Sequence, residues 1–287
     1  MEKVIITAAI CGAEVSRETT PHIPITAQEL ALEAQRCVEA GASIIHLHVR
    51  NDDGSPTQDK AVFARAMRAI REACGGANPI IQPSTGGAVG MTFEQRSQPL
   101  DLYPEMATLD CGTVNFGDDI FVNDLPMMRR FASLMGERGV LPELEVFDIG
   151  HIHNALHLAA KGFLTGHLHF DFVLGVLGGM DGSWQSLCAM ASQMPAGATF
   201  TVAGVGRHEN PLSMHALAMG AHVRVGLEDN VYYRRGRLAE GSAELVQRVV
   251  RLARELGRDI ASPDDARRVL HIPTDRYKAV KFETGDS

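Results

Sequence analysis

Cysteine is scarce in this sequence and is never arranged as C-x-x-C. The five cysteines, Cys11, Cys37, Cys74, Cys111 and Cys188, are dispersed and odd in number, which favours free thiols in a reducing compartment over a disulfide framework. The sequence also lacks an apolar run of about 20 residues, the length needed to span a bilayer. Its start, MEKVIITAAI, lacks the basic beginning and long apolar stretch of a signal peptide. These absences predict a soluble, cytoplasmic protein with no membrane partner.

An excess of positive charge is absent as well. The chain has 27 Lys and Arg against 35 Asp and Glu, a formal net charge of -8, so nucleic acid is not an expected partner. The first predicted strand is not followed by G-x-G-x-x-G, and the sequence contains no P-loop, which argues against the common nucleotide sites. With 287 residues, 45% of them hydrophobic and 22% charged, the chain suits a globular protein with a large core.

Short β-branched runs alternate with helical periods along the whole sequence. The predicted strands are 3–10, 43–49, 79–85, 106–112, 143–148, 167–175, 198–205 and 222–227. The helical stretch between the first two begins at a capping box, Thr26 to Glu29, and ends at Gly41. Eight strands, most of them followed by a helix, predict an α/β fold of the (β/α)8 TIM barrel type; a doubly wound sheet is the alternative. We expect a single domain over residues 1–287, with a C-terminal helical extension from about 240 to 287.

Two histidines, His46 and His48, lie at the C-terminal end of the second predicted strand. Residues i and i+2 of a strand face the same side, and barrel active sites lie at the C-terminal ends of the strands. The pair is therefore either half of a metal site or two core histidines with hydrogen-bonded ring nitrogens. A second pair, His167 and His169, begins the sixth strand and should lie at the opposite, structural end, although Asp171 shares its face.

The eighth predicted strand, within HVRVGLEDN, offers a third ligand. Alternation places Arg224, Gly226 and Glu228 on one face and apolar residues on the other. The apolar face should pack on helices, so the charged face should point into the barrel mouth. The fifth strand similarly places Glu143 and Glu145 on one face. Because buried charges are costly unless they are paired or bind a metal, we expect the two histidines and Glu228 to form a zinc site. A buried Arg–Glu network that only orders the loops is the alternative.

Two glycine-containing loops follow predicted strands and suit anions. In QPSTGGAVG, Gly86 and Gly87 allow backbone N–H groups to converge, and Ser84 adds a hydroxyl donor. Such a concave loop binds carboxylate or phosphate oxygens, although an ordinary Gly-Gly turn is the alternative. In AGVGRHENP, Arg207 supplies positive charge after the seventh strand, where barrels often bind phosphate. The basic stretch at 232–237 could also receive a phosphorylated cofactor, or it could contact solvent or another subunit.

Eight segments, taken in order, resemble the β-keto acid cleavage enzyme family. They are TAAICGAE, IIHLHVRNDDG, QPSTGGAVG, PEMATLDCGTVNFGDDIF, PELEVFD, FVLGVLGGM, VAGVGR and RVGLEDN. The similarity runs from residue 4 to about residue 265, and it is specific as an ensemble. It implies a (β/α)8 barrel that binds zinc or a similar divalent cation and converts a β-keto acid and acetyl-CoA into acetoacetate and a new acyl-CoA. The family tends toward tetramers, so the resemblance also implies a homo-oligomer.

The resemblance assigns roles to individual residues. The implied metal ligands are His46, His48 and Glu228, the trio that strand parity also favours. The implied contacts of the substrate carboxylate are Ser84, Gly87 and, on the fourth strand, Thr108. The implied catalytic residues are Arg224, Asp229 and an inward Glu145. Glu14, just after the first strand, matches a glutamate that contacts a substrate amino group.

These residue types suit a retro-Claisen cleavage. Breaking the C–C bond of a β-keto acid requires a polarised carbonyl and a stabilised enolate, which a zinc Lewis acid favours. A carboxylate base must remove a proton, which we expect to come from the methyl group of acetyl-CoA, and Asp229 beside Arg224 is the candidate. Arg207 is the candidate contact for the cofactor. Two alternatives are a zinc-dependent barrel hydrolase, although that type carries H-x-H on strand one, and a non-catalytic barrel that binds acyl-CoA.

Position 110 departs from the resemblance. Similar family members carry Asn there, whereas this chain carries Asp110, two residues after Thr108 on the fourth strand, so parity aims both side chains at one cavity. Together with Glu14, a second carboxylate would favour a cationic β-keto acid over one with a distal carboxylate. We therefore expect a substrate such as 3-keto-5-aminohexanoate or dehydrocarnitine. The alternative is that Asp110 pairs with an inward arginine such as Arg50 while Glu14 lies in solvent.

Overall fold

The computed structural model describes residues 2–282, and its centre is a barrel of eight parallel strands. We number the barrel strands β1 to β8. They are β1 Ile6–Ala9, β2 Ile44–Leu47, β3 Ile80–Pro83, β4 Met106–Asp110, β5 Leu141–Val146, β6 His169–Leu174, β7 Thr199–Gly204 and β8 His222–Val225. Each strand overlaps one of the eight predicted segments, and the predicted α/β barrel is confirmed.

The order of the strands shows how the barrel closes. Around the sheet the order is β3-β2-β1-β8-β7-β6-β5-β4. The register places His46 of β2 level with Ala9 of β1 and with Gln82 of β3. Within residues 2–282, β3 and β4 form no backbone ladder. Instead, the Thr85 N–H donates to the Thr108 hydroxyl at 3.0 Å, and the Thr85 hydroxyl donates to the Thr108 carbonyl at 2.7 Å, so side-chain bonds close this seam.

Helices cover the outside of the barrel. They are α1 Ala27–Ala40, α2 Lys60–Cys74, α3 Phe93–Arg96, α4 Leu125–Arg138, α5 Ile149–Ala160, α6 Trp184–Ala191, α7 Glu209–Met219, α8 Ser242–Glu255 and α9 Pro263–Val269. The predicted capping box is present, because the Thr26 hydroxyl accepts from the Glu29 N–H and the Glu29 carboxylate accepts from the Thr26 N–H. Apolar side chains of α8, such as Leu245 and Val249, are buried where this helix packs on β1 and β8, which removes apolar surface from water.

Three short hairpins interrupt the regular repeat. They pair Val49–Arg50 with Pro56–Thr57, Val114–Phe116 with Asp119–Phe121, and Tyr232–Arg234 with Arg237–Leu238. Each follows the C-terminal end of a barrel strand, so each extends the wall of the barrel mouth. The middle hairpin turns at Gly117, whose φ of 64° lies in the left-handed region that favours glycine.

Helix α9 packs under the N-terminal end of the barrel. It shares an apolar cluster with residues at the starts of four strands, and the cluster contains Ile5, Ile44, Ile80, Met106, Ala266 and Leu270. Arg267, which is fully buried on α9, donates to the Glu105 carboxylate at 2.6 and 3.0 Å. Packing and this ion pair close the bottom of the barrel, which leaves the mouth as the place for a functional site.

The ends of the chain bear on two further predictions. No helix within residues 2–282 is both long and apolar enough to cross a membrane. Helices α8 and α9 occupy the segment expected to form a C-terminal helical extension, while residues 283–287 of that segment lie outside the described range. The limits of the domain stay a prediction.

Candidate active site

A cavity of about 300 Å³ opens at the C-terminal ends of the strands. Its polar lining residues are Glu14, His46, His48, Ser84, Asp110, Glu145, Arg224, Glu228 and Asp229. Its apolar lining residues include Phe116, Phe121, Phe147, Val173, Val176 and Val205, which belong to one contacting cluster. The volume is at the lower end of the range for small-molecule sites, so the cavity suits a short organic acid rather than a whole nucleotide.

His46, His48 and Glu228 approach one another inside this cavity. His46 lies in β2, His48 follows that strand, and Glu228 follows β8. The Nε2 atoms of the two histidines lie 3.3 and 3.6 Å from the same carboxylate oxygen of Glu228. Gly12 makes room for this carboxylate, because a Cβ at Gly12 would come within 2.7 Å of the Glu228 Cγ. The fold therefore brings the three predicted ligands together.

The protonation of these three groups suits a divalent cation. Burial lowers the pKa of His48 to about 4, which keeps its lone pair available. Burial also favours the neutral form of His46, but the nearby Glu228 carboxylate has the larger effect and raises the pKa of His46. A bound cation would replace the proton that Glu228 stabilises on this ring. Burial opposes ionisation of Glu228, but His46, His48 and Arg224 together hold its pKa well below the usual range.

The donor atoms also fit a metal. The three ligand atoms lie within 4.8 Å of one another. The second carboxylate oxygen of Glu228 is buried and has no hydrogen-bond partner among residues 2–282, so it can accept a ligand bond. Two imidazoles and one carboxylate form a donor set that zinc takes in catalytic sites, where a fourth position stays open for substrate.

Two polar side chains support His46 from the barrel interior. The Nδ1 atom of His46 lies 2.9 Å from the Gln82 amide oxygen, and the Gln82 amide nitrogen donates to Glu143 at 2.8 Å. His169 Nε2 lies 3.4 Å from the other oxygen of Glu143. Burial opposes ionisation of Glu143, but His169 outweighs it and lowers the pKa of this carboxyl group. Partners of this kind fix the orientation of a metal-ligating histidine.

Arg224 is the centre of a buried cluster of charges. Its guanidinium donates to both carboxylate oxygens of Asp229 at 2.9 Å, to Glu228 at 2.7 Å, to Glu145 at 2.8 Å and to Asp171 at 3.2 Å. The bidentate pair fixes Asp229, and burial raises the pKa of Asp229 and of Glu145. The sequence analysis gives a buried Arg–Glu network as the alternative to a metal site. The structure contains this network together with the three candidate ligands.

The loop after β3 presents the Ser84 hydroxyl to the cavity. The Gly86 N–H donates to this hydroxyl at 3.1 Å, so the hydroxyl can donate its own hydrogen to a ligand. Gly87 has a φ of +66°, and a Cβ there would come within 2.8 Å of the Met91 sulfur, so this position favours glycine. Gln58 donates to the Ser84 carbonyl at 3.1 Å and fixes the turn. The Ser84 hydroxyl, beside Gly86 and Gly87 in the cavity lining, is a donor suited to a carboxylate.

Asp110 lines the cavity, but a buried arginine neutralises it. Arg96 of α3 donates to Asp110 at 3.1 Å and to the Asn123 amide oxygen at 2.7 Å. The alternative stated from sequence, a pair with an inward arginine, is therefore present with Arg96 in place of Arg50. Arg50 instead donates to the Gly12 carbonyl at 2.7 and 3.1 Å. Because the Asp110–Arg96 pair has no net charge, it does not add the second negative charge expected from sequence.

Three other predicted contact residues differ in their access to the cavity. Glu14 is exposed and contributes to the lining. Thr108 lies inside the barrel as parity predicted, but its hydroxyl accepts from Thr85 at the seam and does not line the cavity. Arg207 is exposed in the turn after β7, where its Nε lies 3.2 Å from His208 Nε2, and it also lies outside the lining.

Residues 3–272 match the family model for beta-keto acid cleavage enzymes. The chain belongs to this family.

Two relatives with assigned activities are similar in sequence to this β-keto acid cleavage enzyme family member. The 3-keto-5-aminohexanoate cleavage enzyme of Fusobacterium nucleatum is 58% identical over 273 residues, which cover 95% of this chain and 99% of that protein. The 3-oxoadipate:acetyl-CoA acetyltransferase of Cupriavidus necator is 37% identical over 273 residues, which cover 94% and 95%. Both relatives are enzymes, and this family member is an enzyme as well.

A solved structure shares the fold of this family member. The ternary complex of ObcA with a C4-CoA adduct and oxalate superposes with a TM-score of 0.74 at 20% identity, covering 88% of this chain and 68% of that one. At this identity the likeness concerns the barrel alone.

Sequence reasoning missed three parts of this family member's site. No sequence motif predicts a role in the site for Arg96 or Gln82, although a capping-box pattern from Thr92 to Gln95 marks the short helix that carries Arg96. The aromatic part of the lining was also missed. Its signal was VNFGDDIF, two short β-forming runs around a glycine, which is a hairpin pattern.

Proposed function

We propose that this enzyme is metal-dependent and transfers coenzyme A from acetyl-CoA to the acyl part of an amino-substituted β-keto acid, with release of acetoacetate. The observation that carries the proposal is that Arg224 contacts both a candidate metal ligand, Glu228, and the candidate base, Asp229. This guanidinium holds Glu228, the shared contact of the two histidines, at 2.7 Å, and holds Asp229 in a bidentate pair at 2.9 Å. A ligand set and a fixed carboxylate base therefore share one small cavity.

The cation belongs to His46, His48 and Glu228 in this proposal. When bound, a divalent cation supplies Lewis-acid polarisation of a carbonyl group and stabilises an enolate. Zinc is the metal favoured by the two imidazoles and one carboxylate.

In this proposal Asp229 lies next to C2 of the keto acid, where the proton balance of the reaction requires a base. The CH2 between the keto group and the carboxylate is the acidic position, and Asp229 takes its proton. The C2 carbanion forms a bond to the acetyl carbon, and coenzyme A leaves as the thiolate. The thiolate then adds to the former keto carbon, the C2–C3 bond breaks, and the released acetoacetate recovers a proton from Asp229. Only removal of a C2 proton yields acetoacetate and an acyl-CoA, so the methyl proton expected from sequence is the wrong one.

The rest of the polar lining holds the substrate. The Ser84 hydroxyl at the Gly86–Gly87 turn suits the carboxylate, because it lines the cavity and accepts from Gly86, which leaves its own hydrogen for the ligand. Glu14 at the rim suits an ammonium group at the other end of the substrate. The substrates named for the two relatives differ at this end, because one is an amino-substituted keto acid and the other, 3-oxoadipate, carries a second carboxylate. The higher identity to the former and the position of Glu14 favour 3-keto-5-aminohexanoate, with dehydrocarnitine as the second cationic candidate.

Acetyl-CoA enters this cavity only with its acetyl end. A volume of about 300 Å³ holds the reacting groups and leaves the nucleotide outside. Exposed arginines lie on the loops after β7 and β8, Arg207 in the first and Arg234 and Arg235 in the second. We propose these side chains as contacts for the phosphates of coenzyme A.

The location and assembly of the enzyme complete the proposal. All five cysteines are free, four of them buried and Cys188 half-buried, which supports a reducing compartment such as the cytoplasm. A homo-oligomer, tetrameric by family resemblance, stays a prediction that light scattering on the purified protein would test.

Product analysis of the purified enzyme tests the reaction. We expect acetoacetate from 3-keto-5-aminohexanoate only when acetyl-CoA is present, together with one equivalent of bound zinc by metal analysis. Release of product without acetyl-CoA would indicate a hydrolase instead. A comparison of kcat/KM for 3-keto-5-aminohexanoate, dehydrocarnitine, 3-oxoadipate and a neutral 3-oxoacid tests the substrate class. A preference for the neutral or dianionic compound would contradict the role of Glu14.

A further inference from the structure

The polar chain behind His46 has one consistent assignment of hydrogens. Glu143 is fully buried and, as a carboxylate, only accepts hydrogen bonds. The Gln82 amide must therefore turn its NH2 group to Glu143, at 2.8 Å, and its carbonyl oxygen to the Nδ1 of His46, at 2.9 Å. Because a carbonyl oxygen also only accepts, the hydrogen between Gln82 and His46 must belong to Nδ1. The lone pair of a neutral ring is then on Nε2, the atom nearest Glu228.

The chain is fixed at its far end by residues at the bottom of the barrel. His169 Nε2 lies 3.2 Å from the Thr201 hydroxyl and 3.4 Å from Glu143 Oε1, and His169 Nδ1 lies 2.7 Å from the Thr199 hydroxyl. Glu143 and His169 are both fully buried, so water does not compete for these contacts. The Glu143 carboxylate, held close to His169 in the core, therefore sets the direction of the hydrogen bonds, and Gln82 carries it to His46 at the mouth.

We propose that Gln82, oriented by Glu143, is a positioning residue that keeps the hydrogen of His46 on Nδ1 and reserves Nε2 for the cation. This inference rests on the proposed metal site and adds the device that prepares one of its ligands. Without an acceptor at Nδ1, the ring would place its hydrogen on Nε2, where Glu228 is the nearest acceptor at 3.3 Å. That hydrogen would occupy the ligand atom.

Two variants and one control test this role. Gln82→Met removes the acceptor at Nδ1 and keeps a side chain of similar length. The double variant Gln82→Glu with Glu143→Gln exchanges the two groups, so residue 82 still accepts from His46 and residue 143 donates to residue 82. The control is Gln58→Met, the same exchange at a buried glutamine that contacts the Ser84 carbonyl rather than a histidine.

The readouts are the protonation of His46 Nδ1, by nitrogen NMR of the metal-free protein from neutral to alkaline pH, and the affinity for zinc. We expect a protonated Nδ1 in the wild type, the double variant and the control, with similar zinc affinities. In Gln82→Met we expect the neutral His46 ring, observed at alkaline pH, to carry its hydrogen on Nε2 instead of Nδ1. The affinity for zinc should then fall by about 10- to 100-fold.

Two results would overturn the proposal. One is a wild-type His46 whose Nδ1 carries no hydrogen, a measurement that needs no variant to fold. The other is a Gln82→Met protein that keeps both its Nδ1 hydrogen and its zinc affinity, or a double variant as weak as the single one. If the wild type bound no zinc, the metal site itself would be refuted, while the state of Nδ1 in the metal-free protein would still decide this inference.

Discussion

The chain contains two H-x-H pairs inside its barrel, and they have different surroundings. The rings of His46 and His48 face one carboxylate oxygen of Glu228, at 3.3 and 3.6 Å. The second pair, His167 and His169, shares the Thr199 hydroxyl, with each ring 2.7 Å from its oxygen. The spacing is the same, but the first pair ends a strand and the second begins one. Position along the strand therefore separates a candidate ligand pair from a pair engaged in hydrogen bonds.

The two ends of the barrel are nevertheless connected. His169 at the bottom contacts Glu143, and Glu143 holds Gln82, which supports His46 at the mouth. The histidine pair at the bottom therefore helps to orient His46 through Glu143 and Gln82, and it supplies no metal ligand in this proposal. Several changes would break or sharpen this contrast, and they are given from the largest expected effect to the smallest.

The largest effect is expected from His46→Ala. This change removes a ligand from the mouth, so bound zinc should be lost and activity should fall by at least about 1000-fold, because Lewis-acid stabilisation is worth several kcal/mol. The matched change at the bottom, His167→Ala, should leave zinc content and most activity in place. Metal analysis and acetoacetate assays on both variants check the contrast. Full zinc occupancy in His46→Ala would show that His46 is not a ligand, and the next candidate set would be His167, His169 and Asp171.

Asp229→Asn should separate the base from the ligands. Its carboxylate pairs with Arg224 and does not contact either histidine of the mouth, so we expect normal zinc content. Turnover should fall by about 100- to 10,000-fold, the usual contribution of a general base. Loss of zinc from this variant would show that Asp229 is a ligand and that its assignment as the base is wrong.

Glu14→Gln should change specificity rather than chemistry. Glu14 is exposed, so water weakens its attraction to an ammonium group, and kcat/KM for 3-keto-5-aminohexanoate should fall only about 2- to 5-fold. The value for a neutral 3-oxoacid should not change. Glu18→Gln, at an exposed glutamate four residues further along the same loop, is the control. Equal losses for both substrates would remove Glu14 from the binding of the amino group.

Strand parity was sufficient to predict the inward side chains but not their partners. It placed His46, His48 and Glu228 together, although His48 and Glu228 lie just past the ends of β2 and β8, where the turn and not the strand sets their direction. It could not show that Thr108 bonds to Thr85, since two inward residues on one strand lie at different depths and only the upper one meets the cavity. The partner of Asp110 was equally hidden, because Arg96 lies on a short helix in an irregular loop, 14 residues before Asp110 in the sequence.

The smallest effect on catalysis is expected at the seam between β3 and β4. Thr108→Val removes the acceptor of the buried Thr85 N–H, which should lower the free energy of unfolding by about 1–3 kcal/mol. The KM for the keto acid should stay the same, because Thr108 does not line the cavity. Thr7→Val is the matched control, since the Thr7 hydroxyl is buried without a hydrogen-bond partner within residues 2–282, and its removal should cost little. Urea unfolding and steady-state kinetics measure the two quantities. An increase in KM at unchanged stability would restore Thr108 as a substrate contact, as the family resemblance implies.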